Sequence, residues 1–495
     1  MKATKVTNIQ NTALFFMIIA PFAIVYYASF IFNPENIGNI YLYIFQIIAD
    51  GIAIIITSTL WLTILLDLLA RDYHKSNFIY DKNWVEQNRP SVDVLVPVAS
   101  EPVEIIEKTL ENAVALEHPH QVYVLDDGDS AAVKEVAEKL GINYISRPKK
   151  AKGFAKSGNL NYGLKQCQSQ FFAVFDADHV PKKSFLNELL PFFKNDKVAL
   201  VQSPQFYTNT DNFIASGTSQ AQDVFYKYVL PAKNSYNAAF CVGTNMIYRR
   251  SAIDEIGGIA LIDHSEDIWT TVLLHEKGYE SVFYNRVLAR GRAPETIQAF
   301  FRQQNRWALG GFTLFFNHNP LFSANLSLDQ KIQYFFSNIH YFSGFSILIY
   351  LLLPIIYLLF GAHPLDVLHN HGWLIHYLPY FITLYFLPLF LLGNMKLATI
   401  SISLASFYPY LKAFLSVAFK NEYKWVATEA KKKSFSFFMM DIWPHVFLIV
   451  LSFCAILVGW YNPKDVTTTL VTSFWVLVNA YFLFEFVKNG SVAKS

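Results

Sequence analysis

Two carboxylates one residue apart, in Asp176-Ala177-Asp178, follow directly on an apolar run, Phe171-Phe172-Ala173-Val174-Phe175. The run reads as a buried strand that delivers both carboxylates to its C-terminal edge. Hard divalent cations prefer oxygen ligands, and Mg²⁺ typically takes one or two carboxylates plus substrate phosphates. The pair therefore suits Mg²⁺ or Mn²⁺ holding a diphosphate. An isolated Asp-x-Asp is more often a solvated turn, so its company matters. Lys156-Ser157-Gly158-Asn159 opens a helix, which aims a cation and free backbone N–H groups at one place and suits a phosphate. Ser265-Glu266-Asp267 begins the helix Ile268–Glu276, where Ser265 or Asp267 is also an N-cap candidate. Gln303-Gln304-Asn305-Arg306-Trp307 sets a guanidinium beside an indole on an amphipathic segment, near 296–316. That segment also reads as an interfacial helix with a snorkelling Arg and an anchoring Trp. Phe240-Cys241-Val242-Gly243-Thr244-Asn245 is a Gly-containing loop before a short apolar strand.

These residues need a scaffold, and the stretch from Ser91 to about Asn319 supplies one. Asp93–Val98 reads as a strand, Glu104–Leu116 as a helix, and Gln121–Leu125 as a strand ending in Asp126-Asp127-Gly128. Ala131–Leu140 is a helix closed by Gly141, Ile142–Ile145 a strand, and Asn159–Cys167 a helix. Phe171–Phe175 and Val198–Gln202 follow as strands. This alternation predicts an α/β domain with a mainly parallel sheet and helices on both faces. Ligands of such sheets bind beyond the carboxyl ends of the strands, where Asp126-Asp127 and Asp176-Ala177-Asp178 both fall.

The rest of the chain is of another kind. Charged residues make up 16% of it and apolar ones 53%, against about 25% charged in ordinary soluble domains. Six apolar runs approach the roughly 20 residues that cross a bilayer: Asn11–Phe32, Tyr41–Ala70, Ile339–Gly361, Trp373–Asn394, Ile442–Trp460 and Thr467–Val487. The first is too long for a cleaved signal peptide. Lys and Arg crowd every second connection: Lys2 and Lys5, then Arg71 to Arg89, then Lys412 to Lys433, then Lys488 and Lys494. By the positive-inside rule, both termini and the central domain are cytoplasmic, in a six-span protein of the plasma (inner) membrane. The expected organisation is 1–70 with two spans, 91–319 as the cytoplasmic domain, and 337–487 with four spans around a cytoplasmic loop, 395–441. Asp50 and Asp67 lie in the second run, where a hydrogen-bonded structural carboxylate is the favoured reading over proton coupling. A net charge of +2 with no basic stripe gives no sign of nucleic acid binding. Cys167, Cys241 and Cys454 lack metal-ligand or disulfide spacing.

Asp127 in Asp-Asp-Gly, Asp176-Ala177-Asp178-His179-Val180-Pro181, Ser265-Glu266-Asp267 and Gln303-x-x-Arg306-Trp307, in that order, resemble the signature of processive family 2 glycosyltransferases. The likeness is to bacterial cellulose synthase catalytic subunits. Lys156-Ser157-Gly158-Asn159-Leu160-Asn161 and Val201-Gln202-Ser203-Pro204-Gln205-Phe206 are similar to two further segments of that family. The resemblance implies a GT-A-like domain inserted between transmembrane helices. It implies an inverting, metal-dependent enzyme polymerising a hexose from a UDP-sugar, UDP-glucose foremost, into an exported β-linked polysaccharide. Asp176, Asp178 and His179 would hold Mg²⁺ or Mn²⁺. Glu101, Asp127, Lys156, Gln303 and Arg306 would bind the nucleotide sugar. Asp267 would be the general base, with Glu266 beside it. Trp307, Cys241 and Gly243 would meet the acceptor. The implied partners are the donor, the growing chain, the bilayer and accessory export subunits. The other readings are single-sugar transfer to a lipid carrier and a non-enzymatic transporter or scaffold.

The chain departs from that pattern in four places. Pro97-Val98-Ala99-Ser100-Glu101 lacks the family's aromatic contact to the base. The loop at Cys241 carries one extra residue. The gating segment is matched only loosely, by Trp425–Lys431, with Thr428 the carried-over residue. No segment suited to the cyclic-di-GMP-sensing domain fused to many relatives follows the sixth run, so regulation by that nucleotide through this chain is not expected.

Overall fold

The computed structural model describes residues 2–75, 79–148, 153–366, 372–420, 435–461 and 463–490. The central segment has nine strands among the described residues: β1 (Val92–Val98), β2 (Gln121–Asp126), β3 (Asn143–Ser146), β4 (Phe171–Val174), β5 (Val180–Pro181), β6 (Val198–Gln202), β7 (Met246–Arg249), β8 (Glu280–Phe283) and β9 (Ala289–Arg290). Seven of them form one sheet in the order β3-β2-β1-β4-β7-β6-β8. β7 runs antiparallel between β4 and β6, and the other pairs are parallel. β5 and β9 make a separate ribbon just beyond Asp178.

Burial explains the strand sequences. Every residue of β1 is buried, because both faces of the sheet are covered. Val94, Val96 and Val98 pack with Ile106, Leu110 and Ala113 of the helix Val103–Val114. Leu95 packs on the opposite side with Leu125, Leu160 and Leu164. The parallel strands β1, β2 and β4 end on one edge, which gathers their C-terminal residues. The helix opened by Lys156 begins at Ala155, four residues before the predicted start. Lys156 therefore sits inside its first turn.

Among the described residues, six helical stretches are long and apolar enough to cross a membrane: Leu14–Ile31, Ile40–Leu65, Leu328–Phe360, Leu397–Ala418, Asp441–Tyr461 and Val466–Gly490. Five overlap runs read from the sequence. The run Trp373–Asn394 is instead divided into the helices Trp373–Tyr385 and Leu387–Leu392. Pro388 lies in the first turn of the second, where it lacks the N–H that would continue the first. Within the predicted loop 395–441, residues 397–418 are helical. Phe22, Tyr41 and Leu457 on these stretches are more than 70% exposed, an arrangement suited to lipid rather than water.

The carboxylate of Asp50 is buried inside the helix bundle and fully engaged. It accepts from the Tyr27 hydroxyl at 3.0 Å, the Gln46 amide at 2.8 Å and the Tyr350 hydroxyl at 2.6 Å. Asp67 accepts from the Ser235 hydroxyl at 2.6 Å. Both are hydrogen-bonded, as the structural reading expects, and Asp50 ties three helices together. Asp50→Ala strands two hydroxyls and an amide, and is expected to cost about 1–3 kcal/mol of bundle stability. A lower melting temperature in detergent, read by fluorescence-detected size exclusion, checks this.

Candidate active site

The edge where β1, β2 and β4 end is built by carboxylates with different duties. Asp126, at the end of β2, is 1% exposed. It accepts from the backbone N–H groups of Gly128 and Ser130, both at 2.7 Å, and from the Tyr144 hydroxyl at 2.9 Å. Its role is to fold the loop. Asp127 is held by Arg147 in a two-pronged pair, Nε at 2.7 Å and Nη2 at 2.5 Å. Arg147 also donates to the carbonyls of Gly153 and Ala155, so it couples Asp127 to the turn that carries Lys156. Sequence reading missed Arg147. Its signal was its place, one residue past β3 on the same edge.

Lys156 does not wait free for a phosphate. Its ammonium pairs with the Asp176 carboxylate and donates to the Gly243 carbonyl at 2.5 Å. Burial opposes its charge, but Asp176, Glu266 and Asp267 outweigh that and hold its pKa above the ordinary value. Asp176 is placed by its own N–H, which donates to the Thr244 hydroxyl at 2.9 Å. One ligand atom each from Asp176, Asp178 and His179 lies within 4.8 Å of the others. Two carboxylate oxygens so close fit a hard divalent cation. His179 Nδ1 lies 2.9 Å from Asp178, and its Nε2 is buried against Gly291 without a hydrogen bond. Burial would raise the Asp178 carboxyl, but His179 more than offsets this and keeps it below the usual range.

Ser265, the residue ahead of the helix Glu266–Glu276, has φ 58° and makes no side-chain cap. The N-cap reading therefore fails for its hydroxyl. A non-glycine residue in the left-handed region is strained, and such strain concentrates at functional sites. What holds it is Gly310: a Cβ there would collide with the Ser265 side chain. The bend sends Glu266 and Asp267 into the first helical turn, and among the described residues Asp267 Oδ1 accepts only from the adjacent Ile268 N–H, at 2.9 Å. A Cβ on Gly243 would lie 3.0 Å from Asp267 Oδ2, so the loop backbone passes directly over this carboxylate. Burial first, then Glu266, push the Asp267 carboxyl up to about 7.

The helix Ile297–Asn317 closes the cleft and packs against the apolar helix Phe407–Ala418. It does not lie free at an interface, since Phe300, Phe301, Gln303, Gln304, Ala308 and Leu309 are all buried. Asn305 donates to the Pro409 carbonyl at 3.0 Å, and Tyr410 donates to Gln304 at 3.0 Å. Arg306 is half-buried and makes no hydrogen bond or ion pair with any described residue, yet its charge is felt by Asp267 and Tyr207. Trp307 is half-buried and stacks on no described ring. Gln303 Oε1 is buried without a partner. A guanidinium and an indole face without partners among the described residues thus share one helix with an amide whose oxygen is unpaired.

The side chains of two candidates bond to the backbone of their own loops. Cys241 was expected at the acceptor, but its thiol is fully buried, and burial foremost pushes it up to about 12. Its place is inside the loop, where Sγ accepts from the Gly243 N–H at 3.4 Å. Gln202, at the end of β6, clamps the same loop through Phe240 O at 2.7 Å and Val242 N at 3.1 Å. Glu101 turns Oε2 onto the N–H groups of Ala99 and Ser100, at 2.8 and 3.0 Å, and so shapes the turn after β1. Thr428 lies outside the described residues.

Gly310→Ala is expected to lose about 1–3 kcal/mol by overpacking. Adding Ser265→Gly should recover most of it, because glycine removes both the side chain and the strain; thermal melts of the two variants check this. The raised Asp267 carboxyl makes a second prediction. Between its unfolded value near 4 and its folded value near 7 the folded chain binds the extra proton. Ligand-free stability therefore falls as pH rises through that window. Asp267→Asn should flatten the decline and melt higher than the unaltered chain at pH 8.

Comparison with known proteins fits this arrangement. Residues 171–416 match the model of Glycosyl transferase family group 2. The cellulose synthase catalytic subunit [UDP-forming] of Pseudomonas fluorescens is 36% identical over 282 residues, 55% of this chain and 38% of that one. The corresponding subunit 1 of Komagataeibacter xylinus is 32% identical over 292 residues, 56% of this chain and 39% of that one. The match thus spans about two fifths of these relatives' length. Among solved structures, the mannosyltransferase PcManGT from Pyrobaculum calidifontis, in complex with GDP-Man and Mn²⁺, aligns with a TM-score of 0.54 at 14% identity. It covers 76% of this chain and all of that one, which shows a shared fold. The chain thus carries a family group 2 glycosyltransferase domain on a GT-A-like fold, and over about half its length it is 30–36% identical to bacterial cellulose synthase catalytic subunits.

Proposed function

We propose that this protein is a processive membrane glycosyltransferase. It transfers a hexose from a UDP-sugar, UDP-glucose foremost, onto a growing β-linked polysaccharide that leaves across the membrane. The observation that carries the proposal is the shared helix Ile297–Asn317. It sets an unpaired guanidinium and an unstacked indole beside a carboxylate with a raised pKa. A single transfer needs the first and the last of these, and a chain that is extended repeatedly also needs an apolar platform for its terminal sugar. The family 2 domain and the cellulose synthase relatives support the same reading.

The chemistry follows from the placement of the groups. The acceptor hydroxyl gives its proton to Asp267, which suits a base at neutral pH because its pKa lies near 7. The acceptor oxygen bonds to the anomeric carbon as the carbon–diphosphate bond breaks on the opposite face, so configuration inverts. Arg306 and the Lys156 ammonium offset the charge that builds on the departing UDP. A divalent cation bound at Asp176 and Asp178 would supply further positive charge to the diphosphate. Trp307 stacks on the apolar face of the terminal acceptor sugar. The apolar helices hold the domain on the plasma membrane, with the catalytic domain and both termini cytoplasmic by the charge of their connections.

The purified protein in liposomes, given Mn²⁺ and a panel of UDP- and GDP-sugars, should release UDP from one donor and make a long product open to a linkage-specific glucanase. Asp267→Asn should lower kcat by about 10²–10⁴-fold. In the unaltered chain the rate should rise with pH through about 7 and level off above it, because only ionised Asp267 accepts the proton. Asp176→Asn and Asp178→Asn should weaken Mn²⁺-dependent UDP binding at least as much as the roughly 10–100-fold typical of outer-shell changes, read by calorimetry. Single-sugar products would move the assignment to transfer onto a lipid carrier. Release from no donor would overturn the proposal.

A further inference from the structure

Three consecutive backbone carbonyls, those of Gly153, Phe154 and Ala155, are each gripped by a buried side chain. Arg147 donates to the Gly153 carbonyl at 2.9 Å and to the Ala155 carbonyl at 3.1 Å. Ser157 donates to the Phe154 carbonyl at 2.9 Å. The turn lies so close to the helix Ala155–Leu164 that residue 158 must be glycine, since a Cβ there would collide with the Gly153 carbonyl. Held in this way, Phe154 and Ala155 take φ 55° and 31°, in the left-handed region that non-glycine residues rarely adopt. Such strain persists only where the surrounding structure over-determines it, and it gathers at ligand-binding sites. What this fixed turn presents is a ring. Phe154 is 46% exposed and stacks on no ring of the described residues.

The strand order says what space lies beside it. Along the sheet the order runs β3, β2, β1, β4, β7. Asp176 and Asp178 follow β4, and the loop leading into β7 passes over Asp267 at Gly243. With the diphosphate at the carboxylates after β4 and the hexose toward Asp267, the nucleoside extends the other way, across β1 to β2 and β3. Strands about 4.8 Å apart put the end of β2 about 10 Å from the end of β4, a span that a ribose and its base cover. Asp127 stands just past β2 and Arg147 just past β3, joined by the two-pronged pair. Arg147 bonds the carbonyls on both sides of Phe154, so a single guanidinium separates the Phe154 backbone from the Asp127 carboxylate. Two residues further on, Lys156 pairs with Asp176. The Phe154 turn thus bridges the two ends of the stretch that the nucleoside occupies. The turn after β1, Ala99-Ser100-Glu101, offers no ring there.

We propose that the Phe154 ring is the platform on which the nucleobase of the donor lies. Every base has a π-face, and an aromatic side chain holds that face without reading the base's edge. The gripped turn fixes the platform before the donor arrives, so less ordering is left for binding to impose. This assignment rests on the donor-binding role proposed above for the cleft.

The test measures binding to the full chain in liposomes with Mn²⁺, so it does not depend on turnover. Affinities for UDP and for ribose 5-diphosphate, which lacks the base, are compared by calorimetry in the unaltered chain, Phe154→Leu and Phe154→Tyr. Phe154→Leu should weaken UDP by about tenfold and leave ribose 5-diphosphate unchanged. Phe154→Tyr, which keeps a ring, should bind UDP as the unaltered chain does. Phe154→Trp adds an indole at the same place, and UDP should quench its added fluorescence while ribose 5-diphosphate does not. That variant carries the test even where Phe154→Leu melts lower than the unaltered chain. Equal weakening of both ligands in Phe154→Leu would overturn the assignment, as would full retention of UDP affinity or an added indole signal that UDP leaves unchanged. Failure of the unaltered chain to bind any nucleoside diphosphate would instead overturn the donor-binding role of the cleft, and the assignment with it.

Discussion

Four carboxylates, Asp176, Asp178, Glu266 and Asp267, open onto one cleft from two distant parts of the chain. Left to themselves they would repel one another and draw protons. The Lys156 ammonium stands among them, paired with Asp176, acting on Asp178, Glu266 and Asp267, and fixed to the Gly243 carbonyl. It lets two acidic clusters with opposite needs share a small space. Asp178 is held below the usual carboxylate range, while Asp267 rises to about 7. Difference of environment, more than of residue type, divides the work between like side chains.

That division depends on fixed backbone. Asp126 accepts from two N–H groups of the loop and from Tyr144 of β3, and so fixes the loop in which Asp127 faces Arg147. Gln202 does the same for the loop at Gly243. The bend at Ser265 is stored strain, maintained because Gly310 of another helix leaves room for it. These supports come from β2, β3, β6 and the helix Ile297–Asn317, so the site is a property of the sheet's edge as a whole.

Much of this was legible in the sequence, and the limits have physical causes. The strands β4 and β6 and the helix Ala131–Leu140 could be read nearly to the residue, because apolar runs bounded by turn residues leave little choice. Asp176, Asp178 and Asp267 stood out because carboxylates at strand and helix ends are chemically conspicuous. Arg147 and Gln202 did not. Each is an ordinary polar residue until strand order places it beside a partner more than ten positions away. The ion pair of Lys156 was hidden for the same reason, and a phosphate was expected where Asp176 sits. In the membrane segment, hydropathy located apolar stretches but not their breaks. Pro388 divides one of them through loss of a single N–H, a local effect that averaging over a window removes.

The helix Ile297–Asn317 belongs to two structures at once. Its polar face completes the cleft, and its other side is held by the helix Phe407–Ala418 through Asn305 and Gln304. A soluble fragment ended at residue 319, at the natural seam in composition, would keep every acidic residue of the site. It would also strip the support from the helix turn that carries Arg306 and Trp307. The boundary that hydropathy draws between the α/β domain and the apolar helices is therefore not the boundary of the cleft, one wall of which is held in place by an apolar helix.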